Sequence, residues 1–160
     1  MNRRGFTLIE LMIATAIIAI LASIAIPKFA RLLRKSDEGA TKGNLGSMRS
    51  ALSIYYADNT FFPADNVYHD SNSILVSSAL APKYIGAIPL AKATPYHTTS
   101  STVFSHWTDS NGNISLVHDG TTGWMYASGA DSSGNVLTPS GQIILDCSHT
   151  DTKGTAWSAY

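Results

Sequence analysis

The sequence predicts an α+β fold, in which one long N-terminal helix packs against a C-terminal antiparallel β-sheet. Three features predict this fold: an apolar run from Phe6 to Ile26, an apolar stripe at helical spacing between residues 45 and 55, and short strand-like segments in the last third of the chain. The 160 residues correspond to about one domain.

Charge and cysteine content exclude several classes of protein. The net charge of zero argues against a nucleic-acid partner, because phosphate binding needs a clustered basic surplus. Residues 1–50 nevertheless carry a net charge of +5 and residues 51–160 one of −5. A single cysteine excludes an internal disulfide framework and any multi-cysteine metal site.

The first half of the helix has the composition of a membrane segment. Phe6 to Ile26 is 21 residues long, and Glu10 is its one charged residue. At about 1.5 Å per residue, this stretch forms a helix of roughly 31 Å, which crosses the hydrocarbon core of a bilayer. A buried helix of a soluble protein and a secretory signal cleaved near Ser23 are the alternatives.

Glu10 needs a physical explanation, because an unpaired carboxylate inside a membrane helix costs about 2.5 to 3.5 kcal/mol. If the bond after Gly5 is cut, Phe6 gains an α-amino group that is cationic at neutral pH. An ion pair between this ammonium group and Glu10, within one chain or between neighbouring chains, removes the penalty and sets the assembly register. The alternative is that Glu10 reaches the membrane interface from near the helix end.

Residues 28–60 continue the helix as an amphipathic half that packs under the C-terminal domain. Leu45, Met48, Leu52 and Tyr55 recur at helical spacing and form one face. The basic cluster between Lys28 and Lys35 is interpreted as a solvated or headgroup-facing surface, and Asp37 and Glu38 of an adjacent subunit are its alternative partners. Phe61-Phe62-Pro63 ends the helix.

The residues around the start of the apolar run carry a resemblance to a known family. Gly5 to Leu11 reads GFTLIEL, Arg3 and Arg4 precede it, and Pro27 follows the apolar run. This arrangement resembles the prepilin signature of type IV pilins and type II secretion pseudopilins. The resemblance implies cleavage between Gly5 and Phe6 by a prepilin peptidase, N-methylation of Phe6, a role for Phe6 and Glu10 in filament assembly, and a kink or melted turn at Pro27 inside a filament.

The resemblance also implies a location and partners. Residues 1–5 are the leader, 6–27 the transmembrane and assembly helix, 28–60 the amphipathic helix and 61–160 a periplasmic or extracellular head. The chain crosses the bacterial inner membrane once with its N-terminus in the cytoplasm, and then enters a filament. A positive-inside count alone opposes this orientation, but large domains translocate against the charge bias. The implied partners are further copies of the chain in a helical homo-oligomer, the inner-membrane assembly platform, and minor pilins or pseudopilins.

The last third of the chain predicts an antiparallel sheet and contains no catalytic motif. Four strands are expected, at Val103–Thr108, Asn113–His118, Trp124–Ala127 and Gln142–Cys147. Cys147 shares a face with Ile143 and Leu145, so it is interpreted as a buried small apolar residue rather than a nucleophile. No two of the five histidines lie at metal-ligand spacing on one predicted element.

Two acidic loops are weak candidates for a structural calcium site, and no other cofactor is expected. Calcium prefers oxygen ligands, which these loops supply at alternate positions. The candidate ligands are Asp109, Asn111, Asn113, Asp131 and Asn135. Hairpin turns have the same composition, so the pattern does not separate a site from a turn.

The leading functional interpretation is a structural subunit, not an enzyme, of a type IV pilus-like filament. Similarity over residues 1–90, including Ser50–Asn59 and Leu80–Ile85, favours a major pseudopilin of type II secretion. The sequence after Pro89 departs from that family, and a major type IV pilin of a surface pilus is the alternative. A remoter alternative is a membrane-anchored binding module such as a DNA-uptake pilin, which the negative charge of residues 51–160 disfavours.

Overall fold

The computed structural model describes residues 5–63, 74–105, 123–127 and 141–160. Two helices and three strands are present in these ranges: α1 (Leu8–Asn59), α2 (Ile74–Leu80), β1 (Val103–Ser105), β2 (Trp124–Ala127) and β3 (Gln142–Leu145). A short 3₁₀ helix, Trp157–Ala159, lies near the C-terminus. The α+β class predicted from the sequence is confirmed. The chain divides into two compact units, residues 1–36 and 37–160.

Helix α1 is 52 residues long and includes Pro27. Proline lacks the N–H that would bond to the carbonyl of the fourth residue before it, here Ser23. Helix α1 is nevertheless continuous through this position. The expected kink at Pro27 concerns the filament, and it stays a prediction.

Helix α1 ends at Asn59, just before the expected Phe61-Phe62-Pro63 boundary. Thr60 has a positive φ of 64°, and its N–H donates to the carbonyl of Tyr56 at 2.7 Å. This is the left-handed helix cap that glycine usually supplies. The side-chain amide of Asn59 donates to the carbonyl of Tyr55 at 2.9 Å and to the hydroxyl of Tyr84 at 3.1 Å, which fixes the helix end to the chain beyond α2.

The sheet has the order β1-β2-β3 and is mixed. Strands β2 and β3 are antiparallel as expected, with Tyr126 opposite Ile143. The expectation that the whole sheet is antiparallel is wrong for β1 and β2, which are parallel with Val103 opposite Trp124. A parallel pair needs a connection of a dozen or more residues, and residues 106–122 between these strands satisfy that length. The expected strand Asn113–His118 and the last residues of Val103–Thr108 lie outside the described residues.

The core of residues 37–160 lies between the second half of α1 and the sheet. The predicted apolar stripe is confirmed, because Leu45, Met48 and Leu52 are at most 5% exposed and Tyr55 packs against the same cluster. All four residues of the central strand β2 are buried. The remaining core members come from α1, α2, β1, β3 and the segments that follow α2 and β3: Ala51, Val76, Leu80, Ala91, Ala93, Val103, Ile143, Leu145, Cys147 and Trp157.

Two polar side chains of β2 connect the sheet to other segments. The indole N–H of Trp124 donates to the carbonyl of Pro89 at 2.7 Å, and the hydroxyl of Tyr126 donates to the carbonyl of Pro63 at 2.8 Å. Buried tyrosine and tryptophan side chains need such partners for their polar atoms. These bonds fix the loops on either side of α2 to the central strand.

A charged cluster fastens the C-terminal segment to α1. The Lys42 ammonium lies 2.7 Å from an Asp151 carboxylate oxygen, and the Tyr160 hydroxyl donates to the same oxygen at 2.6 Å. The backbone N–H groups of Lys153 and Thr155 donate to the other oxygen at 2.8 and 3.0 Å. The hydrogen bonds from Lys42 and Tyr160 hold the pKa of the buried Asp151 carboxyl well below its usual range.

Candidate assembly and processing segment

The expected cleavage site lies in a non-helical segment immediately before α1. Gly5, Phe6 and Thr7 precede the first helical residue, Leu8, and all are exposed. The Phe6 side chain is 74% exposed. A non-helical and exposed peptide bond between Gly5 and Phe6 is accessible to an endopeptidase. The leader residues Arg3 and Arg4 lie outside the described residues.

Thr7 and Glu10 form a capping box at the start of α1. The Glu10 carboxylate accepts hydrogen bonds from the backbone N–H of Thr7 at 3.1 Å and from its hydroxyl at 2.9 Å. In return, the backbone N–H of Glu10 donates to the Thr7 hydroxyl at 3.3 Å. This reciprocal pattern satisfies backbone donors that the first turn of a helix otherwise leaves unpaired.

The capping box was missed in the sequence analysis, although the Thr-x-x-Glu spacing before an apolar run is its recognised signal. It gives Glu10 a role within a single chain that differs from the expected ion pair with the Phe6 ammonium. The carboxylate also lies in the first helical turn, where the partial positive charge of the helix terminus stabilises an anion. Glu10 is exposed, so it remains accessible to a partner group.

The first half of α1 presents an extensive exposed apolar surface. Large apolar side chains along residues 8–33 are more than half exposed, and Leu8 reaches 80%. They are Leu8, Ile9, Leu11, Met12, Ile13, Ile17, Ile18, Ile20, Leu21, Ile24, Ile26, Phe29, Leu32 and Leu33. Exposed apolar patches of this extent mark a membrane or protein contact. The helix is long and apolar enough to cross a bilayer, and none of its apolar window is buried within the chain.

The two acidic residues after the basic cluster are engaged in the head of their own chain. Asp37 lies 3.1 Å from the Lys92 ammonium. Glu38 is 5% exposed and accepts hydrogen bonds from the backbone N–H and the hydroxyl of Thr152 at 2.9 and 2.6 Å. Both carboxylates therefore have partners within their own chain, and the expected contact with the basic cluster of an adjacent subunit stays a prediction.

The other sequence-predicted candidates divide into two groups. Cys147 is fully buried in the core, as expected for a small apolar residue, and lies next to His149. The five calcium candidates, Asp109, Asn111, Asn113, Asp131 and Asn135, lie outside the described residues. The calcium hypothesis therefore stays a prediction.

Comparison with known proteins identifies the N-terminal motif. Residues 1–26 match the model of the prokaryotic N-terminal methylation motif. This match covers Gly5, Phe6 and Glu10, which the prepilin resemblance singled out. No solved structure matches the chain significantly.

Related chains include fimbrial and type IV pilin proteins and a type II secretion system core protein. The chain is 35% identical over 91 residues to fimbrial protein EcpC of Eikenella corrodens, covering 57% of this chain and 56% of that protein. It is 30% identical over 99 residues to type IV major pilin protein PilE of Neisseria gonorrhoeae, covering 62% and 58%. It is 34% identical over 65 residues to type II secretion system core protein G of Escherichia coli strain K12, covering 41% and 45%.

The chain thus spans about half the length of the curated relatives that it matches. Its homologues are type IV pilins and type II secretion pseudopilins, and it carries their N-terminal methylation motif. The resemblance stated from residues 3–27 is confirmed.

Proposed function

We propose that this chain is a structural subunit that polymerises through the first half of α1 into a type IV pilus-like filament. The observation that carries the proposal is the methylation motif on a helix whose apolar surface is exposed from Leu8 to Leu33. In the membrane, lipid covers this surface. In a filament, the same surfaces of neighbouring copies cover one another.

Processing precedes assembly in this proposal. A prepilin peptidase cuts the exposed bond between Gly5 and Phe6, and the new Phe6 amine is methylated. The resulting cation lies one residue before Thr7, whose side chain and backbone contact the Glu10 carboxylate. A neighbouring Phe6 ammonium then pairs with Glu10 between subunits, which offsets the cost of placing the carboxylate in an apolar environment.

In this proposal, the chain starts as a single-pass protein of the bacterial inner membrane, with its head in the periplasm. Residues 37–160 form a compact unit that is separate from residues 1–36, as expected for a head carried on an assembly helix. An inner-membrane assembly platform and minor subunits of the same kind are the proposed partners. The head contributes a folded surface to the filament and no catalysis.

Of the two filament systems, we propose the pseudopilus of type II secretion first. Identity to core protein G supports it, together with the single cysteine, which excludes an intrachain disulfide loop. A surface type IV pilus is the second candidate. Identity to EcpC and PilE, over a larger share of this chain, favours that system.

Deletion and complementation of the gene in its own host tests the proposal. For a pseudopilin, deletion stops the export of proteins into the medium and leaves any surface pili in place. For a type IV pilin, electron microscopy shows the loss of surface filaments while export continues. If the deletion changes neither export nor filaments, the proposed function is wrong.

A further inference from the structure

Three metal-ligating side chains converge beside the core of the head. His97 lies in the segment that follows Ala93, and Cys147 and His149 lie just after β3. One potential ligand atom from each, a ring nitrogen or the thiol sulfur, lies within 4.8 Å of the other two. The sequence analysis found no histidine pair on one element, because these residues come from segments about 50 positions apart.

One pair of ligand atoms and the arrangement of the two imidazoles match a tetrahedral zinc site. The Cys147 Sγ lies 3.5 Å from His149 Nδ1. With a zinc–sulfur distance of about 2.3 Å and a zinc–nitrogen distance of about 2.0 Å, two ligands of a tetrahedron are about 3.5 Å apart. The imidazole rings of His97 and His149 have centroids 5.0 Å apart at an angle of 68°. Two imidazoles on one tetrahedral metal also have centroids about 5 Å apart.

The His97 ring nitrogen Nε2 supplies an independent observation. It is buried, and it has no hydrogen-bond partner in the part of the chain that the structure describes. Leaving a buried polar atom unpaired costs about 1 to 3 kcal/mol. Coordination of a cation by this nitrogen would remove the penalty.

The surrounding structure holds the three side chains in position. The Tyr96 ring stacks on His149 with centroids 4.1 Å apart and an angle of 12°. The backbone N–H of His97 donates to the Ala93 carbonyl at 3.3 Å, and the His149 carbonyl accepts from the N–H of Trp157 at 3.0 Å. Cys147 is fully buried, and both histidines are half-buried.

We propose that His97, Cys147 and His149 bind a divalent metal ion of the zinc type, with water in the fourth position. Imidazole and thiolate ligands select zinc and its neighbours over calcium and magnesium, which prefer oxygen. Binding displaces the thiol proton to solvent, so affinity rises with pH. The metal joins the segment after Ala93 to the segment after β3 and stabilises the head.

Cobalt binding to the full-length chain in detergent tests this proposal. We expect one equivalent of Co²⁺ to produce a thiolate-to-cobalt charge-transfer absorption band, which Zn²⁺ then removes by competition. Cys147→Ser abolishes the band. His97→Gln and His149→Gln each weaken binding by at least the roughly 10- to 100-fold that outer-shell changes cost.

The neighbouring substitutions Thr98→Ala and Ser148→Ala are matched controls that keep the band and the affinity. Because Cys147→Ser changes a core position, Zn²⁺-induced changes in Tm are measured for every variant against its own metal-free form. The Tm increase is expected in the unaltered chain and both controls, and not in the ligand variants. Absence of the band in the unaltered chain, its persistence in Cys147→Ser, or unchanged affinity in either histidine variant overturns the proposal. Neither measurement depends on filament formation.

Discussion

At the scale of single residues, Glu10 has one role that the structure shows and one that we propose, and substitution can separate them. Its carboxylate accepts from Thr7 in the capping box. We propose that its charge also pairs with the Phe6 ammonium of a neighbouring subunit. Glutamine also completes a capping box, because its side-chain carbonyl accepts the same hydrogen bond. Capping therefore needs an oxygen at position 10, whereas the ion pair needs a charge.

We predict that Glu10→Gln and Glu10→Ala enter the membrane at least as well as the unaltered chain but yield few filaments. Thr7→Val removes the cap at a cost of about 1 kcal/mol to the helix and leaves the charge in place, so filaments still form. Membrane fractionation and filament yield in the sheared fraction measure these outcomes. Normal filament yield from Glu10→Gln would show that the charge of Glu10 is not required for assembly.

The second residue-scale prediction concerns Asp151. The pKa of its carboxyl is lowered in the folded chain by hydrogen bonds from Lys42 and Tyr160. The unfolded chain therefore binds a proton more readily, and the stability that this group contributes is present above about pH 4 and declines as the pH falls below that value. We expect Asp151→Asn to lower the free energy of unfolding by roughly 2 kcal/mol at neutral pH, and the difference to shrink toward pH 2.5.

Urea unfolding of a chain beginning at Lys28 measures this difference. Asp58→Asn is the matched control. The Asp58 carboxylate lies 3.5 Å from the Lys83 ammonium, but both side chains are at least 51% exposed. Exposed pairs contribute at most about 1 kcal/mol, so the control changes stability little. If the free energies of unfolding of Asp151→Asn and the unaltered chain differ by the same amount from pH 7 to pH 2.5, the lowered pKa of Asp151 does not contribute to stability as predicted.

At the scale of elements, the second half of α1 is part of the head's core. Leu45, Met48, Ala51 and Leu52 are at most 5% exposed and belong to the same cluster as the sheet residues. The Thr41 hydroxyl donates to the carbonyl of Lys92 at 3.0 Å, and the backbone N–H of Lys92 donates to the same hydroxyl. Removing this half-helix would expose apolar surface on the sheet and leave polar groups unpaired.

We therefore predict different behaviour for two truncated chains. A chain beginning at Lys28 keeps α1 from residue 28 onward, and it should be a soluble monomer that unfolds cooperatively in urea. A chain beginning at Phe61 lacks the helix and should aggregate or fail to fold. Equal stability of the two chains in urea would show that α1 is not part of the core.

The sequence predicted some elements of the fold correctly and did not predict others. Apolar periodicity was sufficient for α1, because each residue of the stripe faces the same side of a helix. The Thr7–Glu10 cap was missed, although its signal spans only four residues and needs no tertiary information. The parallel pairing of β1 with β2 could not be predicted, because the residues of a short strand do not indicate whether it pairs in a parallel or an antiparallel direction. The clusters at Asp151 and Cys147 join residues far apart in sequence, which only tertiary packing brings together.

At the scale of the whole molecule, the chain joins an exposed apolar helix to a folded head of opposite net charge. Residues 1–36 and 37–160 form separate compact units. Its exposed apolar residues favour lipid or other copies of the chain over water. In the proposed function, the helix moves from lipid into contacts with other copies, and cleavage would remove Arg3 and Arg4 and create the Phe6 cation at the same end, which would couple processing to assembly.

Intact-mass measurement of the subunit in isolated filaments tests this coupling most directly. The chain in the filament should begin at Phe6, carry the added mass of one methyl group on its amine, and have lost residues 1–5. Substitution of Gly5 by a bulky residue should keep the uncut chain in the membrane and out of the filament fraction. Filaments built from chains that begin at Met1, or at a residue near Ser23, would contradict the assignment as a pilin-type subunit.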